Sequence, residues 1–202
     1  MNQAPWHDVV AGQSDSACID CDRGSAARPV HFLCPGSFNP LHAGHLEMVA
    51  WAETTMGGRV DFELSVVNVE KATLDVADLT QRVAQFAGIG RLWVTRAATF
   101  WEKSELFPGA TFLVGADTIR RVADPQFARS SAESREQLWS KLSAAGCGFL
   151  VFGRLIDGHF RQLDDLPLPL PLRALCRGVA ESEFRSDLSS TELRRKIALR
   201  SS

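Results

Sequence analysis

The sequence has no tyrosine and only three methionines, and nowhere does an apolar run continue far. A helix that crosses a bilayer needs roughly 18 or more apolar residues in succession, so no membrane span is expected. Net charge is also scarce: 22 Lys and Arg stand against 24 Asp and Glu, leaving −2. No global positive field then calls for a nucleic-acid partner, and any phosphate binding must come from a local site. The opening residues lack a basic start followed by an apolar block, and they carry Asp8, Asp15, Asp20 and Asp22. That composition argues against a secretory or Arg-rich targeting peptide. Five cysteines make neither an even set nor a dense disulfide framework, and a reducing cytoplasm is the expected compartment. Cys18 and Cys21 form one C-x-x-C with no second pair behind it. They read as two thiols in a loose tail or as half of a metal or redox motif.

With 45% hydrophobic and 23% charged residues over 202 positions, the chain suits one globular domain with a sizeable core. Residues 1–28 are polar and aperiodic and read as a poorly ordered extension. The folded domain is expected over 29–202. Val30 to Cys34, Val60 to Val67, Leu92 to Thr95, Thr111 to Gly115 and Phe149 to Phe152 are short apolar runs that read as strands. Helical spacing runs from Ala43 to Met56, from Asp75 to Ala87 and from Ser131 to Ala145, each closed by glycine. A last helix starts near Ser190, and Leu166 to Leu172 alternates leucine with proline as an extended connection. Strands alternating with helices predict an α/β fold: a Rossmann-like parallel sheet of about five strands with helices on both faces.

The loop after the first strand reads Pro35-Gly36-Ser37-Phe38-Asn39-Pro40-Leu41-His42-Ala43-Gly44-His45 and opens the first helix. Ligands of open α/β sheets bind at such carboxyl ends, and a helix start offers free N–H groups to a phosphate. Neither a G-x-G-x-x-G nor a G-K-[ST] is present, so dinucleotide and Walker loops are excluded. His42 and His45 fall about one turn apart on nearly one helix face, with Gly44 between them leaving room for a ligand. Alone, the pair is compatible with surface histidines, with part of a metal site that lacks an apparent third ligand, or with a phosphate cradle.

The run Gly36 to His45 resembles the signature of the nucleotidyltransferase superfamily, which includes the nicotinamide and nicotinate mononucleotide adenylyltransferases, phosphopantetheine adenylyltransferase and the cytidylyltransferases. Ser65-Val66-Val67-Asn68-Val69-Glu70-Lys71 resembles the segment after that family's second strand. Phe112-Leu113-Val114-Gly115-Ala116-Asp117-Thr118 looks like the nucleotide-contacting turn of the mononucleotide adenylyltransferases. Leu188-Ser189-Ser190-Thr191-Glu192-Leu193-Arg194 is similar to the C-terminal phosphate motif, with leucine where isoleucine is usual. Ser189 with Glu192 is also a capping box, and the basic residues behind it also fit a solvated helix face.

The resemblance implies transfer of AMP from ATP to a phosphorylated acceptor, nicotinamide or nicotinate mononucleotide, with release of pyrophosphate. It assigns His42, His45 and Arg194 to catalysis, and Gly36, Ser37, Phe38, Asn39, Gly44, Gly115, Asp117, Ser190 and Thr191 to the nucleotide. Mg²⁺ is expected with the ATP. Lys71 reads as a phosphate contact or a surface lysine, and Asp117 as a ligand contact or a helix cap. The acceptor segment common in bacterial nicotinate enzymes, Ser-Tyr-Thr, has no counterpart in Thr95-Arg96-Ala97-Ala98-Thr99-Phe100-Trp101-Glu102. Trp101 is the candidate to stack on an acceptor ring, with core packing as the other role for it and for Phe100. A cytidylyltransferase, another adenylyltransferase, or a non-catalytic nucleotide-binding protein are the alternatives. The expected partners are ATP and a small phosphorylated acceptor, without nucleic acid or membrane; a homo-oligomer is compatible.

Overall fold

Five of the strands are short because each apolar run stops at a glycine, a proline or a polar cap. In the computed structural model they are β2 (Phe32–Pro35), β3 (Val60–Ser65), β4 (Leu92–Thr95), β5 (Thr111–Gly115) and β6 (Gly148–Phe152). The structure describes residues 4–19, 28–67, 73–124 and 133–188. Two further strands, β1 (Ser16–Ile19) and β9 (Cys176–Gly178), complete a seven-stranded sheet of order β1-β4-β3-β2-β5-β6-β9. All its pairings are parallel except β1 with β4. The α/β Rossmann-like expectation holds, with seven strands in place of about five.

Two cores cover the two faces. On one, helices α2 (Ala43–Met56) and α3 (Val76–Ala84) pack Met48, Ala52 and Leu79 against Cys34, Phe62, Leu64 and Val94. On the other, α5 (Ala116–Ala123) and α6 (Arg135–Ala144) pack Ile119, Trp139 and Leu142 against Leu33, Phe112, Phe149 and Val151. Helix α4 (Phe100–Leu106) starts at Thr99, whose hydroxyl caps the Glu102 N–H while Glu102 reaches back to the Thr99 N–H. Phe100 is core: its ring meets Phe112 and Phe149 edge-on at 5.3 and 5.1 Å.

The acids of β3 are buried against the second face and paired there. Asp61 accepts from Arg28, from Arg91 and from Trp93 Nε1 at 3.0 Å. Glu63 accepts from Thr95 Oγ1 at 2.5 Å and from Lys103 Nζ at 2.8 Å. Buried carboxylates persist only with such partners.

Three expectations are corrected. Residues 4–19 are not a loose tail: α1 (His7–Val10) buries Trp6 and Val9, and β1 pairs with the edge of β4. An open edge strand gains from such cover. Arg96 clamps it, its backbone N–H on the Asp15 carbonyl and its guanidinium on Val9 O at 3.0 Å. Leu166 to Leu172 is extended only in its first half. A short helix α7 (Leu170–Arg173) follows Pro169, a place where an early proline is tolerated. The helix expected from Asp75 stops as regular structure at Ala84 and closes through turns to Gly88. Cys18 is exposed on β1; Cys21 and the helix expected from Ser190 lie outside the described residues.

Candidate active site

Chain order moves outward from β2 to β3 to β4, then returns to β5 on the other side of β2. Adjacent strands whose connections leave in opposite directions open a crevice at their carboxyl ends, where ligands of such sheets bind. A cleft of about 390 Å³ lies there. Its walls come from the loop after β2, the turn after β5 and the residues after β6, including Ser37, His42, His45, Gly115, Asp117 and Arg154.

The first loop is held from below. Phe38 adopts a left-handed backbone (φ 43°), and its buried ring packs edge-on against Phe62, Phe86 and His45. Phe38 is only 1% exposed and anchors the loop. Arg82 donates to the Ser37 carbonyl at 2.9 Å. Gln85 donates to the Phe38 carbonyl at 3.0 Å and accepts from the Leu41 N–H at 2.8 Å. Asn39 is exposed and does not line the cleft.

His42 caps α2, and the two imidazoles stack with centroids 3.8 Å apart. The His42 backbone N–H donates to His45 Nδ1 at 3.3 Å. With Nδ1 an acceptor, the neutral His45 ring carries its proton on Nε2, assigned here from the hydrogen bond, and Nε2 is left as a donor. Burial, the neighbouring His42 and the Arg154 guanidinium together push the His45 pKa down to about 3. Burial and Arg154 lower His42 as well. Without a bound anion, both rings are therefore uncharged near neutrality. His42 Nδ1 is buried without a hydrogen-bond partner, a costly state that functional sites tolerate.

Gly44 serves a different purpose from the one expected. A Cβ there would meet Ser186 Oγ at 2.9 Å and His42 Nδ1 at 3.2 Å. The space is taken by the chain itself: Phe184 packs edge-on against Phe152 at 4.9 Å, and Ser186 seats on the start of α2. Further along the same strap, the Leu188 carbonyl accepts from Arg154 Nη1 at 2.8 Å.

A match over residues 33–196 links the chain to the family model described as cytidylyltransferase-like. The chain belongs to the cytidylyltransferase-like family. A comparison with curated proteins found no match. Membership places it among the nucleotidyltransferases, and the crevice sits at the carboxyl ends of a Rossmann-like sheet. Of the residues read from the sequence, the fold brings Gly36, Ser37, Phe38, His42, His45, Gly115 and Asp117 together around the cleft. Trp101 lies in the first turn of α4, partly exposed, and does not line it. Lys71, Ser190, Thr191 and Arg194 lie outside the described residues. Arg154, Arg82, Gln85 and Ser186 are not legible in the sequence as residues of this region. Each reaches the loop through long-range packing that leaves no local signature.

Proposed function

We propose that this protein transfers a nucleotidyl group, AMP from ATP, to the phosphate of nicotinamide or nicotinate mononucleotide, releasing pyrophosphate. The observation that carries the reading is the stacked His42–His45 pair at the start of α2, facing a cleft at the sheet's switch point. Helix-start N–H groups with two imidazole donors suit phosphate oxygens. The Gly115-Ala116-Asp117 turn lines the same cleft, and its resemblance to the mononucleotide adenylyltransferases favours ATP and a pyridine nucleotide.

In the reaction an acceptor phosphate oxygen forms a bond to the α-phosphorus as the bond from that phosphorus to the β-phosphate oxygen breaks. Pyrophosphate departs with the electron pair. His42 and His45 donate to the departing phosphates, and the resemblance assigns Ser190, Thr191 and Arg194 to the same phosphates. Positioning and charge stabilisation then supply the rate. Mg²⁺ enters with the triphosphate as part of the substrate. Asp117 is the one carboxylate among the cleft-lining residues, and among the described residues no three His, Cys, Asp or Glu cluster as a metal cage. One carboxylate with phosphate oxygens and water is a common Mg²⁺ setting.

The family's description favours a second reading, cytidylyl transfer from CTP. A pyrophosphate-release assay separates the two. ATP and CTP are crossed with nicotinamide mononucleotide, nicotinate mononucleotide and phosphopantetheine, with products identified by mass. The proposal expects a dinucleotide from ATP and a pyridine mononucleotide. Release with CTP alone moves the reading to cytidylyl transfer, and no release from any pair contradicts both.

A further inference from the structure

The histidine pair leaves a gap in the charge balance. A triphosphate carries several negative charges, and two neutral imidazoles donate hydrogen bonds without cancelling them. Arg154 stands at that point. It follows β6 and opens a hairpin, β7 (Arg154–Ile156) paired with β8 (His159–Arg161). Its side chain is only 16% exposed and lines the cleft beside both histidines. Its field already reaches both rings, helping to hold their pKa values down, and works against the burial that raises the Cys34 thiol.

Three features hold the guanidinium there without neutralising it. Its nearest carboxylate, Asp117, is 4.0 Å away and half-exposed, too loose for a strong pair. Nη1 is spent on the Leu188 carbonyl, and Nη2 lies 3.9 Å from Met48 Sδ, a weak acceptor. Gly115 makes room: a Cβ there would meet Arg154 Cγ at 2.9 Å and Nε at 3.0 Å. Among the described residues no close carboxylate neutralises this charge, which is held over the strand end beside the histidines.

Resting on the nucleotidyltransferase reading, we infer that Arg154 is a further substrate-binding residue: it supplies the fixed positive charge that meets the triphosphate beside His42 and His45. Through Leu188 it is at the same time a positioning residue for the C-terminal segment. An arginine suits both tasks because its fork serves a carbonyl and a phosphate at once.

The test uses inorganic tripolyphosphate as the probe, with calorimetric binding to wild type, Arg154→Ala, Arg154→Lys and Arg120→Ala. Arg120 carries the same charge on the outer side of α5, where it pairs with the exposed Asp157. Arg154→Ala is expected to weaken tripolyphosphate at least tenfold and to raise KM for the nucleoside triphosphate more than it lowers kcat. Arg154→Lys recovers part of the loss, and Arg120→Ala changes binding less than twofold. The His45 imidazole, followed by NMR in Arg154→Ala, titrates at a higher pH than in wild type. A melting curve accompanies each variant; should Arg154→Ala be unfolded, the Arg154→Lys affinity and His45 titration decide. Equal binding by wild type and folded Arg154 variants, or an equal loss in Arg120→Ala, overturns the inference alone. A wild type that binds neither tripolyphosphate nor any nucleoside triphosphate overturns the nucleotidyltransferase reading with it.

Discussion

Alanine at position 44 places a methyl group where the fold has no room. It would sit 2.9 Å from Ser186 Oγ and 3.2 and 3.3 Å from the His42 ring, where ordinary contact begins near 3.4 Å. The strap must lift by about half an ångström, or the imidazole must tilt. Overpacking of this kind costs about 1–3 kcal/mol, and the helix preference of alanine over glycine returns at most about 1 kcal/mol. A net loss of about 1–2 kcal/mol lowers the melting temperature of a chain this size by about 2–8 °C. Turnover falls too, because the His42 ring is pressed whichever way the strap yields. Thermal melting and pyrophosphate release on Gly44→Ala, Ser186→Ala and the double variant separate these effects. The double variant should regain most of the stability, since the tightest contact is gone, and should remain slow, since the ring contact is not. A Gly44→Ala protein that melts and turns over like wild type would refute the packing between strap and helix.

Three further outcomes follow from the same geometry. His45→Ala should lower kcat by about 10²–10³, the loss expected for one preorganised donor, with an unchanged circular dichroism spectrum. The depressed His45 pKa makes stability depend on pH in a fixed direction. The unfolded ring takes its proton near 6.5 and the folded one near 3, so this contribution is whole above 6.5 and lost as pH falls toward 3. At about pH 5 the loss from this one group is about 2 kcal/mol; melting curves across pH should show it, and His45→Ala should flatten it. Asp61→Ala leaves Arg28 and Arg91 without their shared buried carboxylate and should cost about 3–5 kcal/mol in urea denaturation. Because Asp61 sits near the amino end of β3, away from the cleft, tripolyphosphate affinity of the folded variant should not change.

Much of the framework can be read from local pattern. Ala43 to Met56 is the observed span of α2, since an apolar stripe and a left-handed Gly57 mark its face and its end. Leu92 to Thr95 and Thr111 to Gly115 are likewise strands over the expected residues. What escapes notice lacks an apolar run. β1 is Ser-Ala-Cys-Ile on a half-covered edge, and β9 is only Cys-Arg-Gly. α5 starts directly from the end of β5 at Ala116, so no loop announces it. The loop holding His42 and His45 was legible because its residues are contiguous. Arg154 was not, because its place depends on β6 lying next to β5 and on Gly115 having no side chain, facts of strand order. Ser186 escaped for the same reason: its partner Gly44 is distant in the chain and meets it only through the strap's path.

The cleft is proposed to be a triphosphate site. A crystal structure of the protein with a non-hydrolysable ATP analogue and Mg²⁺ addresses that directly. It should place the β- and γ-phosphate oxygens within hydrogen-bond distance of His45 Nε2 and of the Arg154 and Arg194 guanidiniums, with the α-phosphorus open toward the acceptor side. An analogue bound elsewhere, or one whose phosphates leave both imidazoles untouched, would contradict it.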